Sequence, residues 1–210
     1  MPSAFGSSAA ARSSEPSAPR MLDDARSRNQ RGLSPETALA EAKARFQRAV
    51  AADPKLAAAS RHLGGALILE ARWRIGAGQD PAASLAQARA ALQDAVLKDP
   101  KDSESHAALA EAHRWGASFR RARGGTAEPQ IALGLAAAER ALGLRPTLAA
   151  ALAAKGALLR LRAEEARDPR RQRELAGEAD AVLRQAVAAN AHLARETEGE
   201  LKQTQALLAP

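Results

Sequence analysis

The sequence contains no cysteine and no tyrosine, and only two tryptophans and three phenylalanines among 210 residues. Without cysteine the chain has no disulfide, no thiolate metal site and no cysteine nucleophile. So few aromatic residues leave few platforms on which nucleic-acid bases could stack. β-Branched runs and alternating apolar–polar stretches of useful length are also missing, which argues against a sheet. The hydrophobic 46% is mainly Ala and Leu, which favours helices, and we predict an all-α fold.

Long apolar segments are missing as well. The first twenty residues lack the continuous apolar stretch of a signal peptide, and no run approaches the roughly 20 apolar residues of a membrane span. We therefore expect a cytoplasmic protein with no membrane partner. Ser, Ala and Pro dominate this N-terminal stretch, which predicts a disordered tail at 1–20 and a helical domain at 21–208.

The prolines outside the tails form two regular series. Proline is tolerated in the first turn of a helix but damages its interior, so a regular series marks helix boundaries. One series is Pro54, Pro100 and Pro146, spaced by 46 and 46 residues, with Ala191 in the fourth place. The second series, Pro35, Pro81, Pro129 and Pro169, follows the candidate helix caps Ser34, Asp80, Glu128 and Asp168.

Each period therefore holds two helices, which is typical of an α-solenoid. The first series predicts helices near 56–75, 103–122, 148–165 and 192–208. The second series predicts helices near 35–52, 81–98, 129–144 and 169–189.

A motif of small and large apolar residues recurs in the second type of helix. Its four copies are Ala42, Phe46, Ala49 and Pro54; Ala88, Leu92, Ala95 and Pro100; Gly134, Ala138, Ala141 and Pro146; and Ala179, Leu183, Ala186 and Ala191. The first type of helix adds Leu63 and Gly64 with Leu67. These patterns resemble the tetratricopeptide repeat. The resemblance implies a right-handed α-solenoid of about 3.5–4 antiparallel helix pairs that acts as a non-catalytic scaffold for protein–protein interaction.

The period is longer than the usual 34 residues of that family. The extra residues lie between the helices of a period, and this style resembles the repeat region of some bacterial serine/threonine protein kinases. A shift of 46 residues aligns 25–35 with 71–81, so the array begins partway through a first helix. We hypothesise that the chain is a truncated or remodelled piece of a longer repeat protein, whose missing half-helix would fall near 8–20.

The resemblance also implies which residues face the concave groove, at four, seven, eleven and fourteen positions after each proline. These are Ala58, Arg61, Gly65 and Ile68; Glu104, Ala107, Glu111 and Arg114; and Ala150, Ala153, Ala157 and Arg160. We expect Arg61, Glu104, Glu111, Arg114 and Arg160 to contact partner peptides or proteins, acidic segments among them.

A second reading rests on arginines near the ends of the first-type helices and on the net charge of +7. Such a basic rim could bind nucleic acid or an acidic partner. However, cations near helix C-termini also stabilise the helix dipole. The rim consists of Arg72, Arg74, Arg120, Arg121, Arg123, Arg160, Arg162 and Arg167.

Signatures of catalysis and of cofactor binding are missing. Neither a phosphate-binding loop ending in Lys and Ser or Thr nor any protein-kinase catalytic motif is present, so we predict neither enzyme activity nor a cofactor. His106 and His113 are seven residues apart, whereas a helical metal site prefers a spacing of four with a third ligand. Trp73 and Trp115 are either peptide anchors or packing against the long turns that follow them.

Overall fold

A computed structural model describes residues 20, 23–25, 27–28, 31 and 34–209, and the statements below concern that part of the chain. Its regular structure from residue 36 onward is entirely helical, which confirms the predicted all-α class. The helices are α1 (Glu36–Ala52), α2 (Ala57–Gly76), α3 (Ala82–Lys98), α4 (Ser103–Ala122), α5 (Glu128–Leu144), α6 (Ala149–Glu165), α7 (Pro169–Ala189) and α8 (Ala194–Leu208), with a 3-10 turn at Ala191–Leu193. Of the predicted tail at 1–20 and the hypothesised half-helix at 8–20, only residue 20 is among the described residues, and the rest lies outside them.

Helix positions repeat with the period of the prolines. α1, α3 and α5 start 46 residues apart, and so do α2, α4 and α6. All observed bounds lie within two residues of those that the prolines predicted. The largest difference is at α8, where a 3-10 turn comes before the α-helix.

Most of the predicted caps are observed at the starts of the odd-numbered helices. The side chains of Ser34, Asp80 and Asp168 each accept a hydrogen bond from the backbone N–H two residues later. The prediction for Glu128 is wrong, because α5 begins at Glu128 itself and has no side-chain cap. The Glu128 carboxylate instead pairs with Arg162 of α6 at 2.6 Å.

The turns after the odd-numbered helices share one backbone geometry. In each turn the residue before the proline position is extended, with φ between −151° and −135°, and its N–H donates to an alanine of the repeated motif. The donor and acceptor pairs are Asp53 with Ala49, Asp99 with Ala95, Arg145 with Ala141 and Asn190 with Ala186. The sequence period is therefore also a period of the backbone.

Packing between the helices follows a regular order. Every helix packs against the next one in the chain, and in addition α2 packs on α4, α4 on α6 and α6 on α8. No comparable contact joins two odd-numbered helices in the described chain. The even-numbered helices consequently form a continuous row, on which the odd-numbered helices pack.

Small residues allow the helices to approach closely where they cross. A Cβ on Gly64 would lie 2.4 Å from Leu92 Cγ, and a Cβ on Gly156 would lie 2.6 Å from Leu183 Cγ. At the crossing between these two, Ala110 and Ala138 belong to one apolar cluster. The chain thus combines glycine with leucine at two crossings and alanine with alanine at the third, so no crossing has a large side chain on both helices.

The other residues of the repeated motif differ in exposure according to their position in the helix or in the turn. Those fully buried are Ala42, Ala88, Leu92, Ala95, Ala141, Ala179, Leu183 and Ala186, and Phe46 is 5% exposed. Ala49 and Leu63 are half-buried, whereas Pro54, Pro100 and Pro146 are exposed in the turns.

Candidate functional site

A cavity of about 630 Å³ lies along the row of even-numbered helices. Its size falls in the range typical of binding pockets. Four successive even-numbered helices line it, and Asp23 lies at its wall. The lining residues are Asp23, Arg61, His62, Gly65, Ile68, Leu69, Arg72, Glu104, Ala107, Ala108, Glu111, Arg114, Trp115, Ala150, Ala153, Ala157, Leu193, Glu196, Thr197 and Glu200.

The structure brings most of the expected groove residues together at this cavity. Ten of the twelve line it, and the two that do not are Ala58 and Arg160. Four of the five expected partner contacts are among the ten: Arg61, Glu104, Glu111 and Arg114.

Arg114 is the centre of the charged part of the cavity. Its Nε and Nη2 both donate to the Glu111 carboxylate at 2.9 Å, and its Nη1 donates to Glu200 Oε1 of α8 at 3.2 Å. The side chain is only 11% exposed. Paired on both sides, this guanidinium is part of the protein's own framework and is less available to a partner than the sequence suggested.

Arg160 is buried, and the other oxygen of Glu200 holds it. Its Nε donates to Glu200 Oε2 at 2.6 Å and its Nη1 to Glu164 Oε1 at 2.5 Å. Glu164 is also paired with Arg121 at 2.7 Å. An alternating chain of carboxylates and guanidiniums therefore links α4, α6 and α8, and the structure places Arg160 inside this chain instead of on the groove surface.

Glu111 remains ionised in this setting. Burial alone would raise its pKa, but the charge and hydrogen bonds of Arg114, the charge of Arg72 and the Trp115 hydrogen bond lower it to about 2. Burial acts to lower the pKa of Arg114, but the carboxylates of Glu111, Glu200 and Glu196 raise it overall. The pair therefore stays charged at neutral pH.

Trp115 forms part of the cavity wall. Its Nε1 donates to Glu111 Oε1 at 2.7 Å, and the Arg114 guanidinium lies 4.0 Å from the ring centroid, with that of Arg72 at 5.3 Å. Such contacts between cations and aromatic rings are stabilising. Of the two tryptophans, Trp115 faces the cavity and Trp73 does not.

Further charged pairs lie on α2 and at the start of α4. Arg61 Nε lies 3.1 Å from Asp102, and Glu104 forms a short ion pair with Arg145. His62 stacks on Phe46 with ring centroids 5.3 Å apart. Burial and, secondarily, the charge of Arg61 lower the pKa of His62, so this ring is neutral at physiological pH.

Most arginines of the expected basic rim have partners within the described chain. Arg74 pairs with Glu70, Arg121 with Glu164, Arg123 with Asp80 and Arg162 with Glu128. These pairs neutralise much of the positive charge on which the alternative reading depends.

Two of the histidines form side-chain hydrogen bonds within the fold. His106 Nε2 lies 3.0 Å from the Pro100 carbonyl oxygen, and His113 Nδ1 lies 2.8 Å from Gln130 Oε1. Among the described residues, no group of three or more His, Asp and Glu side chains is arranged to hold a metal ion.

Sequence reasoning missed the contribution of α8. Leu193, Glu196, Thr197 and Glu200 line the cavity, and Glu200 joins the two central arginines. The available signal was the spacing of four between Glu196 and Glu200, which places both carboxylates on one helix face.

Comparison with known proteins does not assign the sequence to a family. No protein-family model matches the sequence, and no curated protein is significantly similar to it. Within the described residues, none of the helices has the length and apolarity needed to cross a membrane.

Proposed function

We propose that this protein is a non-catalytic scaffold that binds a segment of a partner protein in the cavity of the even-numbered helices. We further propose that its helix pairs form a right-handed solenoid of about 3.5–4 tetratricopeptide-like repeats. The observation that carries the proposal is the 630 Å³ cavity, which is lined at the positions where that repeat family binds its partners.

The lining provides two kinds of contact. α6 contributes only Ala150, Ala153 and Ala157, whose short side chains allow a partner backbone to approach closely. α4 contributes the paired Glu111 and Arg114 beside Trp115. Apolar contact on α6 would supply most of the affinity, and the charges of α4 would set the orientation of the partner.

The alternative, in which a basic rim binds nucleic acid or an acidic surface, has weaker support. Four rim arginines are paired with carboxylates of their own helix or of neighbouring helices and turns, and the sequence has only five aromatic side chains. Steeply salt-dependent binding to nucleic acid would favour this alternative.

A blocking substitution tests the scaffold proposal. Ala150 is exposed and lines the cavity, so Ala150→Phe fills part of the groove without entering the core. Ala136 is also exposed, lies on α5 and does not line the cavity, which makes Ala136→Phe the matched control.

Partners captured by the wild-type protein should be lost with Ala150→Phe and retained with Ala136→Phe. Direct binding is then measured by titrating the captured partner against each variant. If Ala150→Phe binds the partner as tightly as the wild type does, the cavity is not the binding surface and the proposal fails.

A further inference from the structure

One ion pair between an odd-numbered and an even-numbered helix differs between successive periods. Lys43 of α1 places its Nζ 2.9 Å from Glu70 Oε2 of α2. The Ser84 side chain of α3 also acts to lower the pKa of Glu70, and Arg74 Nη2 lies 3.5 Å from Glu70 Oε1. Although burial acts to raise the pKa of Glu70, these partners lower it overall. A half-buried cation thus has a carboxylate partner that three helices hold in place.

The same three positions one period later hold a different set of residues. Adding 46 to each number leads from Lys43, Glu70 and Ser84 to Arg89 of α3, Gly116 of α4 and Gln130 of α5. The cation is kept, and the carboxylate is replaced by a glycine. A Cβ on Gly116 would lie 3.4 Å from Arg89 Nη1 and 3.5 Å from Gln130 Oε1, so Arg89 and Gln130 face the position that corresponds to the base of the Glu70 side chain.

Arg89 has no carboxylate partner in the part of the chain that the structure describes. It is half-buried, and both burial and the positive charge of Arg120 lower its pKa. Leaving a partly buried cation unpaired beside a second cation is unfavourable. In the following period the cation position is the buried Leu135, so no counter-charge is needed there.

Arg120 follows Gly116 by one turn of α4, as Arg74 follows Glu70 by one turn of α2, so a second cation lies on the same helix face. His113, which is 4% exposed, hydrogen-bonds through Nδ1 to Gln130 Oε1 at 2.8 Å. The Gln130 oxygen that faces the Gly116 position is thus held by His113, and the cations of the site are Arg89 and Arg120.

We propose that Arg89 and Arg120 form a binding site for a small oxyanion, which takes the role that the Glu70 carboxylate has one period earlier. The shared ligand chemistry is a phosphate or carboxylate group, bound through charge-assisted hydrogen bonds. The site lies between α3, α4 and α5, and none of its residues lines the cavity, so it is separate from the proposed scaffold function.

The test is a titration of the full chain with sodium phosphate and, separately, with sodium acetate, at ionic strength held constant with chloride. Binding is followed by NMR through the backbone amide of Gly116 and the side-chain Nε–H of Arg89. We expect saturable shifts at both groups. The two dissociation constants show which of the two anion classes the site prefers.

Four variants separate the site from its surroundings. Arg89→Gln removes a donor, and Gly116→Glu supplies the carboxylate within the chain, so each should weaken anion binding by about tenfold or more. Gly116→Ala adds only a Cβ at ordinary contact distance, and Lys43→Gln alters the pair that already has its carboxylate. Both should keep the wild-type affinity.

Two results would overturn the proposal. One is the absence of saturable shifts with both anions in the wild-type protein. The other is an affinity in both Arg89→Gln and Gly116→Glu equal to that of the wild type. Thermal unfolding of each variant shows whether the fold is retained, and because the two loss variants change opposite sides of the site, one failing to fold leaves the other as a test.

Discussion

Exchanging the residues at one helix crossing tests whether the complementary pairs of glycine and leucine determine the packing. In Gly64→Ala the new Cβ would lie 2.4 Å from Leu92 Cγ, so Leu92 or its helix must shift. Overpacking costs about 1–3 kcal/mol, and replacing glycine by alanine in a helix returns about 1 kcal/mol. We therefore expect Gly64→Ala to destabilise the protein by about 1 kcal/mol. Leu92→Ala should cost about 2–5 kcal/mol, because Leu92 is fully buried.

The double variant, Gly64→Ala with Leu92→Ala, places two alanines at this crossing, as Ala110 and Ala138 do at the crossing of α4 and α5. It removes the clash, so it should be about 1–3 kcal/mol more stable than the sum of the single changes predicts. Free energies of unfolding from urea titrations followed by circular dichroism measure this coupling. Gly65→Ala is the matched control, since nothing lies within 4 Å of its Cβ position and the variant should be stabilised. If the effects of Gly64→Ala and Leu92→Ala simply add in the double variant, the reasoning is wrong. Equal stability of Gly64→Ala and Gly65→Ala would also contradict it.

Three further outcomes follow from single residues. Ala95→Leu places a larger side chain at a fully buried crossing and should lower the free energy of unfolding by about 1–3 kcal/mol in a urea titration; an unchanged value would contradict the packing. The folded-state pKa of Glu111 is about 2, below its usual 4.5. The ionised carboxylate therefore contributes its full stabilisation of the folded protein above pH 4.5, and this contribution is lost as the pH falls toward 2. The difference in unfolding free energy between wild type and Glu111→Gln should therefore shrink on acidification through that window; a difference that does not vary with pH would exclude the assignment. Glu200→Gln breaks the link from α8 to two arginines and should speed amide exchange in α8, whereas Glu198→Gln changes only an exposed pair and should not; equal exchange in both would contradict this role of Glu200.

The helix boundaries could be predicted because their causes are local. A proline and the cap before it act within one turn, and the turn after each odd-numbered helix uses the same backbone hydrogen bond every time. Glu128 is the exception. Its longer side chain lies inside the first turn of α5 and reaches Arg162 instead of a backbone N–H.

The cavity lining could be predicted from the resemblance to the tetratricopeptide repeat, but the pairing of its charges could not. The resemblance implies which offsets from each proline face the groove, and Glu111 and Arg114 lie at such offsets. The Glu200 contact joins residues 86 and 40 positions apart in sequence, and it depends on how α8 packs against α6. Because α8 has no proline landmark at its start, no offset from such a landmark pointed to Glu200.

The even-numbered helices share their buried positions but differ where they line the cavity. At the eleventh position after the proline the residues are Gly65, Glu111 and Ala157, so only α4 carries a charge there. At the same positions the backbone is equivalent, because α2, α4 and α6 begin 46 residues apart. The repeat itself therefore does not require a charge at this position, and in α4 the partly buried Glu111 is held by hydrogen bonds from Arg114 and Trp115. Because α4 presents this charged pair to the cavity and α6 presents only alanines, we expect the selectivity of the proposed groove for its partner to depend on α4 more than on α6.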